Sequence, residues 1–155
     1  MSEAGKTIGT RIRCSELMTK NVRTSSSSSP LREVAEIMRD GDVGAVPIVD
    51  EGRLVGILTD RDIVVRAIAE GMTADSPVSV AMTTDLVTVR PDDYVFEAAR
   101  IMGDKQVRRL PVVDADGSLS GIIAMADVAL SSEDEEQIAE TLEEISSGSS
   151  FWNKS

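Results

Sequence analysis

The sequence predicts a mixed α/β fold in which one small unit is built twice. Three observations predict it. Residues 18 to 50 reappear at 82 to 114 with 12 of 33 positions identical, among them Met18/Met82, Thr19/Thr83, Pro47/Pro111 and Asp50/Asp114. Each copy opens with apolar residues at helical spacing. Each then carries two short β-branched runs separated by a tight turn, and a second helical stretch.

In the first copy Leu31, Val34, Ala35 and Met38 fall at i, i+3, i+4 and i+7, and Val95, Ala98, Ala99 and Met102 repeat that spacing in the second. That is one face of an amphipathic helix. Ser29 before Pro30 suits an N-cap with proline at the first helical position, and Asp93 occupies the matching place. The Ser25 to Ser29 run then reads as a loop. "AVPIVD" and "RLPVVD" are strand-like, and the turns "EGR" and "ADGS" lead into "LVGILT" and "LSGIIA". Strands joined so closely pair antiparallel. Residues 60 to 69 and 125 to 131 are the second helices, with Ile63, Val64, Ala67 and Ile68 as the apolar positions of the first. A short extended piece near Val22 to Thr24, or Leu86 to Thr88, precedes each copy.

The resulting organisation is an N-terminal segment at 1–11, a first repeat at 12–71, a linker at 72–77, a second repeat at 78–132 and an acidic tail at 133–155. One repeat is too small to bury both its sheet face and its helices, so the two are expected to pack through their sheets. In the tail, Ser132 and Glu135 form a capping box, with Ile138, Leu142 and Ile145 on one stripe of a C-terminal amphipathic helix.

Composition narrows the function. The chain of 155 residues carries a formal charge of −11, but seven of its 27 acidic residues lie beyond residue 131, so the body is only mildly acidic. No basic stripe invites DNA or RNA, and 3% aromatic content leaves few stacking platforms. Histidine is absent and Cys14 stands alone, which removes the usual general base, the disulfide and the common zinc ligands. Cys14 reads as an inert small residue. No apolar run approaches a membrane span, and the N-terminus lacks the apolar core of a signal peptide, so a cytoplasmic protein is expected.

The string "GILTDRD" at 56 to 62 returns as "GIIAMAD" at 121 to 127. With "LMTKNVRT" and "AMTTDLVT" at the starts, the Leu/Val-to-Met helix faces, and "VGAVPIVD" and "VRRLPVVD", it makes the chain resemble a tandem of cystathionine β-synthase (CBS) domains over roughly residues 12 to 132. The resemblance implies β-α-β-β-α units packed sheet to sheet in a pseudo-twofold module with two clefts. It implies a non-enzymatic regulatory sensor of AMP, ADP, ATP or S-adenosylmethionine, with no catalytic cofactor and no metal. It also implies a homodimer and a regulated enzyme or transporter as partner. The alternative is a ligand-independent dimeric scaffold that presents its C-terminal helix to a partner.

By the same resemblance the ribose-binding carboxylates are Asp62 and Asp127. Thr59 is the hydroxyl donor to phosphate, which Ala124 lacks. The adenine slot is lined by main chain around Val22, Thr24, Val46 and Pro47, and around Leu86 to Thr88 with Leu110 and Pro111. A carboxylate suits ribose because it accepts from two hydroxyls at once. Arg108 and Arg109, which stand where the first copy has Gly44 and Ala45, would take over phosphate contacts in the second copy. Plainer roles exist for each: an aspartate suits a first helical turn, a threonine a strand end, and the arginines ion pairs with Asp42 or Asp104. The two copies are therefore expected to differ in ligand or affinity, or one of them to stay vacant, with Thr59 and Asp62 marking the fuller site.

Overall fold

A computed structural model describes residues 11–131. The C-terminal helix expected beyond residue 132 lies outside the described residues. The described elements are α1 (Cys14–Leu17), α2 (Leu31–Gly41), β1 (Ala45–Asp50), β2 (Arg53–Thr59), α3 (Asp60–Asp62) running into a π-helical stretch (Ile63–Ile68), α4 (Val95–Lys105), β3 (Arg109–Val113), β4 (Leu119–Ala124) and α5 (Met125–Ser131). A 3₁₀ turn spans Val78–Val80.

The chain divides into two compact units that do not follow the repeat boundaries. One holds 21–87 with 115–119, and the other, in its described part, holds 11–20, 88–114 and 120–131. The segment at 11–20 thus folds with the second copy's strands, and the segment at 78–87 with those of the first.

In the first unit β1 and β2 pair antiparallel, from Ala45 opposite Thr59 to Asp50 opposite Arg53, with an irregularity at Ile48/Val49. Single bridges extend the pair at both edges, parallel from Ser25 to Ile48 and antiparallel from Thr83 to Ile57. Leu31, Val34 and Ile37 pack onto Val46, Ile48 and Leu58, with Val78 and Ala81 of the incoming segment closing the core. Each of these valine, leucine and isoleucine side chains contributes about 1.5–3 kcal/mol on burial.

The second unit repeats the plan. β3 and β4 are hydrogen-bonded neighbours, Val89 bridges Val112 in parallel and Thr19 bridges Ile122 in antiparallel. Val95, Ala98, Ala99 and Met102 of α4, Leu110 and Val112 of β3 and Ile123 of β4 are all buried.

Several local expectations are corrected. In α2 the buried stripe is Leu31, Val34 and Ile37, whereas Ala35 is exposed and Met38 half-buried, because the helix presents its i, i+3, i+6 edge. The N-caps are Pro30 and Tyr94, both extended and without a side-chain bond. Ser29 instead bonds Ser26 at 3.0 Å, and Asp93 accepts from the Arg90 N–H at 2.8 Å, closing the preceding turn. The helix after β2 exposes Val64 (57%), Val65 (49%) and Ile68 (66%) and buries only Ala67. Its bonds from Ala69 N–H to the Val64 carbonyl and from Met72 N–H to the Ala67 carbonyl, both 2.9 Å, step five residues. That wider turn displaces the side chains from the 3.6-residue positions on which the expected face depends.

Candidate functional site

The first-copy site forms where β2 stops and α3 begins. Thr59 is extended (φ −105°, ψ 162°) and serves as N-cap. Its Oγ1 accepts from the Asp62 N–H at 3.0 Å, and Asp62 Oδ2 accepts from the Thr59 N–H at 3.0 Å. The pair satisfies two helix-end donors reciprocally. Thr83 Oγ1, brought in by the second copy's lead-in, donates to Asp62 Oδ2 at 3.4 Å. Asp62 Oδ1 faces Arg66 Nε at 3.9 Å, and its side chain is 14% exposed. One oxygen of Asp62 is therefore committed to the fold, whereas the other has only a loose ion pair. Because Thr59 uses Oγ1 as acceptor, its own proton is left to donate.

In the second-copy site Asp127 Oδ2 accepts from the Ala124 N–H at 2.8 Å. Ala124 has no hydroxyl to return the bond. Asp127 Oδ1 has no hydrogen-bond partner among the described residues.

The entrances differ more than these anchors do. The Asp60 N–H donates to the Gly44 carbonyl at 3.0 Å, and in the matching place the Met125 N–H donates to the Arg108 carbonyl at 2.8 Å. The Asp60 carboxylate lies over Gly44, so that a Cβ there would stand 3.3 Å from Oδ2. Arg108 and Arg109 are exposed, and neither makes an ion pair with Asp42 or Asp104 or any other described residue.

Of the residues expected to line an adenine slot, Val46 and Leu110 are 1% exposed and Pro47 is fully buried; Pro111 is buried too, so their side chains belong to the core. Val22 is half-buried and Thr24 exposed. The Ser25 N–H bonds the Pro47 carbonyl at 3.2 Å, and the Val89 N–H bonds the Pro111 carbonyl at 3.0 Å, which sets each lead-in strand against its proline.

The two site glycines have a structural cause. A Cβ on Gly56 would stand 2.9 Å from Met82 Sδ and 3.0 Å from the Thr83 carbonyl, and one on Gly121 would stand 2.5 Å from the Thr19 carbonyl. They admit the crossing lead-in strand. Sequence reasoning missed Thr83 and Asp60; the Met-Thr pair repeated at 18–19 and 82–83 was the available signal for the former.

Cys14 is buried, and burial with Asp93 and Glu97 nearby pushes its thiol up to about 11. It remains a protonated core residue at neutral pH. Among the described residues no cluster of potential metal ligands occurs, and no helix is long and apolar enough to cross a membrane.

A family model for the CBS domain matches residues 14–68 and 78–134. The CBS domain-containing protein YhcV of Bacillus subtilis (strain 168) is 40% identical over 131 residues, which is 84% of this chain and 93% of that one. The crystal structure of CBSX2 in complex with AMP matches with a TM-score of 0.70 and 29% identity, covering 77% of this chain and 94% of that one. The CBS domain pair of protein MJ0100, in complex with 5′-methylthioadenosine and S-adenosyl-L-methionine, matches at 0.68 and 29%, covering 76% and 93%. With the helix–strand–strand–helix unit found twice in the fold, these matches settle the family: the chain belongs to the CBS domain proteins and carries two such domains in tandem.

Proposed function

We propose that this protein is a regulatory module that binds an adenosine ligand and performs no chemistry on it. The observation that carries the reading is the division of labour within each aspartate. Asp62 and Asp127 each spend one oxygen on the backbone N–H three residues earlier, which fixes the carboxylate and leaves the other oxygen to accept from ribose hydroxyls. CBSX2 with AMP and MJ0100 with 5′-methylthioadenosine and S-adenosyl-L-methionine support the ligand class, since ribose and adenine are common to all three. AMP, ADP, ATP and S-adenosylmethionine are the candidates. The bound ligand acts on a partner enzyme or transporter by favouring the conformation it binds more tightly, and only to the extent of that difference.

Isothermal titration with AMP, ATP and S-adenosylmethionine tests this. At least one is expected to bind, and Asp62→Asn and Asp127→Asn to weaken binding without unfolding the protein. A folded sample that takes up none of them at millimolar concentration ends the reading.

A second reading, a self-associating scaffold, is favoured by one observation: Val64, Val65 and Ile68 are exposed within one short helical stretch of the first unit. Here the mass in solution is that of a dimer and does not change with nucleotide, and pocket substitutions leave partner binding intact.

A further inference from the structure

Asp62 and Asp127 each give one oxygen to the backbone, but the second oxygen meets different neighbours in the two copies. In the first, Asp62 Oδ1 faces Arg66 Nε at 3.9 Å, and Nη1 of the same guanidinium donates to the Met82 carbonyl at 3.4 Å. The guanidinium is thus tied twice, to the helix start by charge and to the incoming segment by a hydrogen bond. Thr83, the next residue of that segment, donates to Asp62 Oδ2 at 3.4 Å, beside the Thr59 N–H at 3.0 Å. Among these neighbours the Asp62 side chain is 14% exposed, whereas that of Arg66 is 52% exposed and has room to swing outward. In the second copy the residue matching Arg66 is Ser131, and Asp127 Oδ1 has no hydrogen-bond or ion-pair partner among the described residues.

We propose that Arg66 is a latch on the first-copy site: it competes with the ribose for Asp62 Oδ1, so that an adenosine ligand fills the second-copy site first. This rests on the adenosine-binding reading above. A ribose diol donates two hydrogen bonds and has to use the oxygen that the backbone does not hold. At Asp62 that oxygen already faces an opposite charge, which moves aside or is screened before the sugar can approach. A guanidinium carries no acceptor lone pair, so it cannot take over the carboxylate's role toward the hydroxyls. At Asp127 no such exchange is needed. Because the arginine side of the ion pair is half exposed, breaking it costs little, and the latch sets an order of filling rather than closing the first site. Its second tie carries the exchange further: an Arg66 that leaves Asp62 also gives up the Met82 carbonyl, next to the threonine that steadies the carboxylate.

Calorimetric titration of the full-length chain with adenosine, which is uncharged, tests the latch. Wild type is expected to show two sites, and Asp127→Asn to remove the tighter one. In that Asp127→Asn background, Arg66→Gln raises the affinity of the remaining site about threefold, the scale of a half-exposed ion pair. Arg66→Lys, which keeps the charge, leaves it near the value with arginine. Salt gives a second readout that does not depend on how an Arg66 variant folds. In about 1 M sodium chloride, where the screening length is about 3 Å, the Asp127→Asn protein gains affinity, and the same protein with Arg66→Gln does not. The latch is overturned if Arg66→Gln lowers first-site affinity, which would make Arg66 a ligand contact, or leaves it unchanged. It is also overturned if Asp62→Asn rather than Asp127→Asn removes the tighter site, or if salt weakens the first site. AMP that binds where adenosine does not has the same force, because the ribose is then not the group that Arg66 opposes. Wild type that binds neither adenosine nor AMP refutes the adenosine reading itself, a result distinct from binding without a latch.

Discussion

The helix that follows the second strand starts in two ways in this molecule. In the first copy Thr59 and Asp62 exchange hydrogen bonds and the chain continues into a π-helical stretch. In the second, Ala124 donates to Asp127 and receives nothing back, and a regular helix follows. What both retain is the carboxylate held by the backbone three residues earlier; what differs is the set of neighbours, Gly44, Ala45, Asp60 and Arg61 in one copy and Arg108, Arg109, Met125 and Ala126 in the other. The anchoring of the aspartate therefore does not depend on the hydroxyl partner, since the Ala124 N–H alone holds Asp127.

The largest contrast expected between the copies concerns their glycines. A Cβ on Gly121 would lie 2.5 Å from the Thr19 carbonyl, a backbone atom that is itself in a 3.0 Å bond from the Ile122 N–H. On Gly56 the nearest atom is the Met82 sulfur at 2.9 Å, the end of a flexible side chain, with the Thr83 carbonyl at 3.0 Å. Gly121→Ala is therefore expected to cost about 3 kcal/mol and Gly56→Ala about 1–2 kcal/mol. Denaturant unfolding of both variants measures this, and equal losses would mean that the crossing strands yield equally in the two units.

This pair also marks where sequence reading stops. The repeat, its helices and its strand pairs are legible because period and turn chemistry are local. The role of Gly56 and Gly121 is not, since Thr19 meets Ile122 across a hundred positions through a single bridge, and no local pattern encodes which lead-in strand accompanies which sheet. Asp62 and Asp127 could be singled out, but a capping carboxylate and a ligand-binding one are the same residue type at the same spacing. Only the geometry separates the two oxygens. Asp60 was invisible for a related reason: it gains meaning from lying over Gly44, sixteen residues away.

The capping difference gives a smaller effect. Thr59→Ala removes the bond that Oγ1 accepts from the Asp62 N–H and is expected to cost about 1 kcal/mol, the usual value of such a cap. Ala124→Thr installs the hydroxyl in the second copy and is expected to return about 0.5 kcal/mol. Thermal unfolding of the two variants should move in opposite directions. If Ala124→Thr destabilises, the second helix start is shaped by something other than the missing hydroxyl.

The smallest contrast is electrostatic and lies at the far end of β1. Asp50 accepts from the Ser27 N–H at 3.0 Å and from Ser27 Oγ at 2.5 Å. These bonds, the hydroxyl first, hold its carboxyl below the ordinary value of 3.8. In the second copy Asp114 matches Asp50, but Pro91 stands at the place of Ser27 and offers neither hydroxyl nor N–H. A carboxyl depressed in the folded state stabilises above its unfolded value and loses that contribution as pH falls through its folded value. Ser27→Ala should therefore raise the Asp50 titration midpoint toward the ordinary value, as followed by carboxyl carbon NMR. It should also narrow the stability gap to wild type as the pH drops below 3.8. Because Asp50 is solvent-accessible, the effect on unfolding is small, and the titration midpoint is the sharper readout. A midpoint that does not move in Ser27→Ala would assign the depression to the backbone N–H alone, the one donor the substitution keeps and Pro91 lacks.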